Sequence, residues 1–136
     1  MVDNCAVAKI LIVDDSGMIR ALSGDLLRAA GHDVEEAHNG VEALSRVDRG
    51  GIDLILLDVN MSVMTGFQTL ESLKGRAGQG TSGPKVLVMT DIANSPDDVA
   101  RARVLGANGF LAKAALKEQL VFRVHTLLGL PAPAPA

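Results

Sequence analysis

The sequence predicts an α/β fold: an open, doubly wound, parallel five-stranded sheet made of five βα units. Three observations predict it. Short aliphatic runs alternate with longer segments of helical periodicity along the 136 residues. Three of those runs, KILIV (9–13), IDLILL (52–57) and KVLVM (85–89), are apolar at nearly every position, as strands covered on both faces must be. Finally, carboxylates, a hydroxyl and an ammonium group fall just after the runs, at the edge where such sheets bind ligands.

The elements follow in order. DVEEA (33–37) and GFLA (109–112) complete the strand candidates. Ile19, Leu22, Leu26, Ala29 and Ala30 form the apolar stripe of a first helix, and Gly31 stops it. Asn39-Gly40 opens a second, with Val41, Ala43, Leu44 and Val47, which stops near Gly50-Gly51. Phe67, Leu70 and Leu73 mark a third, ended by Gly75. A fourth begins at Ser95-Pro96-Asp97-Asp98, with serine as cap, proline at the first helical position and acids in the positive first turn. Leu116, Leu120, Val124, Leu127 and Leu128 give the fifth. Right-handed crossovers between such units build a doubly wound sheet. Residues 75–84 read as a surface loop, and the Pro/Ala tail at 130–136 lies outside the folded unit.

Composition excludes several roles. A net charge of -3 is wrong for a general phosphate-backbone binder, so no nucleic acid is expected. No apolar run approaches the ~18–20 residues of a membrane span, and the start, MVDNCAVAKI, lacks the order of a secretory signal. Cys5 is alone, which rules out an internal disulfide and paired-cysteine metal sites. Together these features point to a cytoplasmic location. With three Phe and neither Trp nor Tyr, the core must be aliphatic. His32, His38 and His125 are too scattered for a metal cluster and are expected at the surface.

The chemistry gathers at the strand ends. Asp14 and Asp15 follow the first strand, Asp58 the third, Thr90 and Asp91 the fourth, and Lys113 the fifth. Carboxylates brought together repel one another and call for a cation. A hard divalent ion such as Mg²⁺ suits all-oxygen ligands. A lysine beside them can pair with a carboxylate or with a phosphoryl group attached to it. The pattern fits an aspartate nucleophile that accepts a phosphoryl group, with its charge neutralised by metal and lysine. Taken singly the residues say less: Asp15 could cap the first helix, Lys113 could be a solvated charge, and Phe110 could be core.

LIVDDS (11–16), NGVEAL (39–44), LLDVNMSVMTG (56–66), VMT (88–90) and GANGFLAK (106–113), in that order, resemble the receiver domains of two-component response regulators. The resemblance covers about residues 8–129 and is similar to the stand-alone chemotaxis type. It implies the flavodoxin-like strand order 2-1-3-4-5; with only a short tail after residue 130, no output domain is expected. It further implies that Asp58 is the phosphoacceptor and Asp15 a direct Mg²⁺ ligand. Asp14 would act through metal-bound water and Asn60 through its backbone carbonyl. Lys113 would contact the phosphoryl oxygen, with Thr90 and Phe110 as switch residues. A sensor histidine kinase or phosphotransfer protein would be the donor. A downstream protein would read the surface of the fourth helix, fifth strand and fifth helix, and the chain would be a monomer.

Four positions depart from the family's pattern. Ser62 stands where proline is frequent, Asp91 where a small residue is favoured, Ala114 where proline follows the lysine, and Phe110 where chemotaxis receivers often have tyrosine. Without proline the 113–114 bond is expected to be trans. A further carboxylate at Asp91 is expected to slow phosphorylation, since like charges at ~4 Å cost about 1 kcal/mol even in water. Ser62, Asp91 and Ala114 sustain an alternative, a pseudo-receiver that binds partners without phosphorylation. A haloacid-dehalogenase-type phosphatase is disfavoured by Asn60, where that chemistry needs an acid. A flavin-binding module is disfavoured by the lack of a phosphate loop after the first strand.

Overall fold

The computed structural model describes residues 8–60, 65–77, 83–90 and 96–131. Ser62, Asp91, Ser95, Cys5 and the tail beyond Pro131 lie outside the described residues. Five parallel strands, β1 (Lys9–Val13), β2 (Asp33–Ala37), β3 (Leu54–Asp58), β4 (Lys85–Thr90) and β5 (Gly109–Ala112), form one sheet in the order 2-1-3-4-5. The helices are α1 (Gly17–Ala29), α2 (Gly40–Asp48), α3 (Gly66–Ala77), α4 (Pro96–Val104) and α5 (Leu116–Leu128), with a 3-10 turn at Lys113–Ala115. The predicted fold class and strand order are those observed.

Alternation along the central strands separates two cores. Leu11, Val13, Ile55, Leu57, Val86 and Val88 face one side, where Ala43 of α2, Leu70 and Leu73 of α3 and Ala102 of α4 meet them. Ile10, Ile12, Leu54, Leu56, Leu87 and Met89 face the other, covered by Leu27 of α1 and by Leu116, Leu120 and Val124 of α5. Because both faces are dry, no polar residue can be tolerated inside these strands, which is why the runs look unbroken in sequence.

Local chemistry sets the helix ends. Ser16 caps α1 through Oγ, which accepts from the Ile19 N–H at 3.3 Å, and Asn39 caps α2 by accepting from the Glu42 N–H at 2.9 Å. Thr65 and Gln68 form a reciprocal box: the Gln68 N–H donates to Thr65 Oγ1 at 3.1 Å, and the Thr65 N–H to Gln68 Oε1 at 2.9 Å. Gly31 and Gly129 take positive φ (96° and 70°) just after α1 and α5, as stop residues do.

Several expectations shift. β3 begins at Leu54, not residue 52, and Asp58 is its last residue rather than the first beyond it. α3 passes Gly75 and runs to Ala77. On α1 the buried positions are Ser23, Gly24 and Leu27, whereas Ala29 is exposed; α1 packs into the angle between the sheet and α5, so its buried line is rotated from the expected stripe. Val41, expected on the inner face of α2, is exposed. The histidines need correcting most. His32 is buried and its ring meets that of His125, because the turn after α1 and the end of α5 close on the same corner.

Candidate functional site

The carboxyl edge of the sheet collects the polar residues. Asp14 follows β1 with its side chain fully buried, Asp15 is exposed, and Asp58 ends β3 buried. One carboxylate oxygen from each of these three lies within 4.8 Å of the others. From the first residue of the 3-10 turn, Lys113 reaches in, with Nζ 3.2 Å from Asp58 Oδ2 and 3.5 Å from Asp14 Oδ2. It does so although no cis peptide bond occurs among the described residues, so the 113–114 bond is trans as expected. Thr90 is half-buried at the end of β4, paired in register with Ala112, and so stands at the same edge.

The backbone holds the acids in place. Asp14 Oδ1 accepts from the Ser16 N–H at 2.8 Å, and Asp58 Oδ1 accepts from the Asn60 N–H at 2.9 Å. These bonds occupy one oxygen of each carboxylate and leave the second directed at the shared space. Arg20, which the sequence reading passed over, donates from Nη1 to the Asp14 carbonyl at 2.7 Å and from Nε to Glu36 at 3.1 Å. Its basic charge at the end of the first turn of α1, shortly after Asp14-Asp15, was the signal that could have found it. Gly66 closes the other side: a Cβ there would sit 2.4 Å from Val59 Cα and 2.6 Å from the Asp58 carbonyl oxygen. Only glycine lets α3 start this close to the strand that carries Asp58.

Electrostatics follow from this packing. Burial raises the Asp14 carboxyl above its usual range; the Ser16 N–H opposes that, Asp58's charge adds to it, and Lys113 opposes it. Burial works to lower the Lys113 ammonium, but Asp58 and Asp14 outweigh it and the net shift is upward. Lys113 therefore stays charged. Asp14 Oδ2 is buried and, among the described residues, makes no hydrogen bond. A buried carboxylate oxygen with no hydrogen bond, only a 3.5 Å ion pair to Lys113, set beside two further carboxylates is a donor set suited to a hard divalent cation.

Of the remaining predicted residues, Asn60 is exposed beside Asp58. Phe110 is half-buried on β5 against the core on the α2, α3 and α4 side, with the Arg103 guanidinium 5.0 Å from its ring centroid. Asp91 and Ser62 lie outside the described residues.

A buried acid on a central strand, two more acids from the neighbouring strand end and a lysine just after the edge strand, on a 2-1-3-4-5 sheet, define a receiver-type protein. The response regulator receiver domain model matches residues 10–125, and the chain belongs to that family of two-component signalling proteins. It is 39% identical over 108 residues to the gliding motility regulatory protein of Myxococcus xanthus, covering 79% of this chain but 14% of that protein. Against the chemotaxis protein CheY4 of Vibrio cholerae it is 34% identical with a TM-score of 0.80, covering 90% of this chain and all of that one. It also resembles a complex from Saccharomyces cerevisiae of the histidine phosphotransfer protein Ypd1 with the receiver domain of its downstream response regulator Ssk1. That match has 26% identity, a TM-score of 0.72 and 78% coverage of each chain.

Proposed function

We propose that this chain is a phosphorylation switch in a two-component relay, with Asp58 as the phosphoacceptor. The observation that carries the reading is the Asp58 carboxylate, buried at the end of β3, with Lys113 Nζ 3.2 Å away and oxygens of Asp14 and Asp15 within 4.8 Å. In the proposed step an Asp58 oxygen attacks the phosphorus of a phosphohistidine on a sensor kinase or phosphotransfer protein. The P–N bond breaks with its electron pair going to the ring nitrogen, the imidazole leaves neutral because its other nitrogen already carries a proton, and Asp58 becomes an acyl phosphate. Lys113 holds its ammonium against the transferred oxygens. Asp14, Asp15, Asp58 and the Asn60 carbonyl would hold Mg²⁺, which when bound supplies neutralising charge to the phosphoryl oxygens. Water later hydrolyses the acyl phosphate, so the only turnover is on the chain's own Asp58.

Thr90 would donate its hydroxyl to a phosphoryl oxygen, drawing the end of β4 toward Asp58 and letting Phe110 turn inward behind it. α4, β5 and α5 would then present a changed surface to a downstream protein. A switch from 1:99 to 99:1 needs about 5.5 kcal/mol of differential stabilisation, and a few charge-assisted hydrogen bonds at roughly 1.5–3 kcal/mol each supply that. Residues 8–129 would be the working unit, acting as a monomer in the cytoplasm.

The test is incubation with Mg²⁺ and acetyl phosphate, followed by intact-mass measurement. A gain of one phosphoryl group, stable in acid and lost in alkali, is expected for the wild type and not for Asp58→Asn. No incorporation from acetyl phosphate or from a phosphorylated transfer protein would sink the reading and favour the pseudo-receiver.

A further inference from the structure

His32, just before β2, and His125, in the last turn of α5, make a three-contact chain across one corner of the molecule. The Ala8 N–H donates to His32 Nδ1 at 3.1 Å, the two Nε2 atoms are 2.9 Å apart, and His125 Nδ1 lies 2.7 Å from the Pro131 carbonyl oxygen. The rings meet edge to face, with centroids 5.0 Å apart and planes at 79°. The two ends of this chain decide where the protons are. An amide N–H can only donate, so His32 Nδ1 is bare and its proton sits on Nε2. That proton points at His125 Nε2, which must be bare, and His125 carries its own proton on Nδ1 for the carbonyl. One neutral tautomer of each ring satisfies all three contacts. A proton added to His125 Nε2 sets two N–H groups face to face, and one added to His32 Nδ1 meets the Ala8 N–H. A metal between the Nε2 atoms is equally disfavoured, because His32 would have to lose its one ring proton.

We propose that the His32–His125 contact is an acid-sensitive latch that holds the last turn of α5 and the residues after it to the body of the sheet. Of the two rings, His32 is only 5% exposed and is fixed by Ala8, whereas His125 is half-exposed. His125 is therefore the ring free to swing away when the pair gains a proton, carrying the Pro131 contact with it. Burial chiefly, and the neighbouring His125 ring, hold His32 below its usual 6.5. A histidine lowered in the folded state stabilises above the ordinary value and ceases to do so as pH falls below it, so His32 favours the closed corner above about 6.5 and withdraws that support on acidification. Charged side chains on the surrounding elements have other partners: Lys9 of β1 pairs with Asp33 and Glu35 of β2, Arg28 of α1 with Glu36, and Arg123 of α5 with the Phe110 carbonyl and Gln119. Asp25 of α1 and Lys117 and Glu118 at the start of α5 are exposed.

Amide hydrogen exchange of the Leu130 N–H, which donates to the His125 carbonyl at 2.9 Å, reads the latch directly. After correction for intrinsic rates, its protection is expected to fall about tenfold between pH 7.5 and 5.5, the loss that one hydrogen bond of this kind allows. His125→Gln should flatten that difference, and His38→Gln should leave it intact. Both variants keep the carboxylate cluster, so titration there cancels. Nitrogen chemical shifts of the rings at pH 7.5 give a second readout that needs no variant: His32 protonated on Nε2 and His125 on Nδ1. Unchanged protection across the pH range, the same fall in His125→Gln, or His32 protonated on Nδ1 would each overturn the latch.

Discussion

Asp14 shows how a buried group can serve the site at the expense of the fold. Its carboxyl is raised because burial disfavours the charged form. An acid whose folded value is raised stabilises below its ordinary 3.8 and loses that contribution as pH rises. At neutral pH the charged Asp14 is therefore a destabilising element even beside Lys113, unless a metal ion joins it. Asp14→Asn is expected to raise the metal-free melting temperature at pH 7 by roughly 2–5 °C, with the gap narrowing toward pH 3.5. The same substitution should shrink the further rise that Mg²⁺ produces in the wild type. A lower metal-free melting temperature for Asp14→Asn would contradict this account. The residue types of the site were legible, since acids after aliphatic runs have few other reasons to be there. Arg20 was not, because its guanidinium acts on a backbone carbonyl, and a sequence shows no backbone contacts.

At the scale of elements, four of the five strands were legible to within a residue, and β3 was displaced by two at its start. Continuous apolar runs mark doubly covered strands well and mark their first residue poorly, because Ile52 is buried before pairing begins. Helix phase was less legible. Leu27 is buried and Ala29 is not, because α1 is covered by the sheet on one side and α5 on another, whereas a periodicity argument allows for one covering surface. That packing leaves Gly24 inside α1, where a Cβ would find the Arg28 Nη1 atom at 2.9 Å, the movable end of a long side chain. Arg28 pairs with Glu36 only at 3.8 Å and half-exposed, a contact of small worth. Gly24→Ala is therefore expected to stabilise by up to about 1 kcal/mol through helix propensity, read as a higher urea midpoint. A lower midpoint would mean that the helix needs glycine for close packing.

For the molecule as a whole, the sheet is a partition between two cores that share every central strand. Leu56 and Leu57 are chain neighbours, both fully buried, yet they belong to opposite sides. Leu56→Ala and Leu57→Ala should each cost about 2–5 kcal/mol. Each variant should still unfold in one transition, with circular dichroism and NMR peak intensities coinciding, because the same strands end both cores. Separate transitions for the two sides would refute this. The global arrangement was legible through the family signature. The corner where His32 meets His125 was not: the residues are 93 positions apart, and neither is in a motif.

The sheet stops at β2 and β5, and β2 is DVEEA. Successive side chains of a strand point to opposite faces, and each face of this rim carries an acid already engaged. Glu35 is held by Arg46 and Lys9 and is drawn down to about 2, with the Arg46 hydrogen bond as the leading cause; Glu36 is held by Arg20 and Arg28. At the far rim Arg123 takes the Phe110 carbonyl. An approaching foreign strand would have to line its own side chains against these anchored charges, which is how natural sheets avoid growing by accretion. The consequence concerns crowding rather than signalling. At millimolar concentrations the chain should remain free of fibrils, and replacing Glu35 and Glu36 together with valine should make it seed them, visible by thioflavin fluorescence.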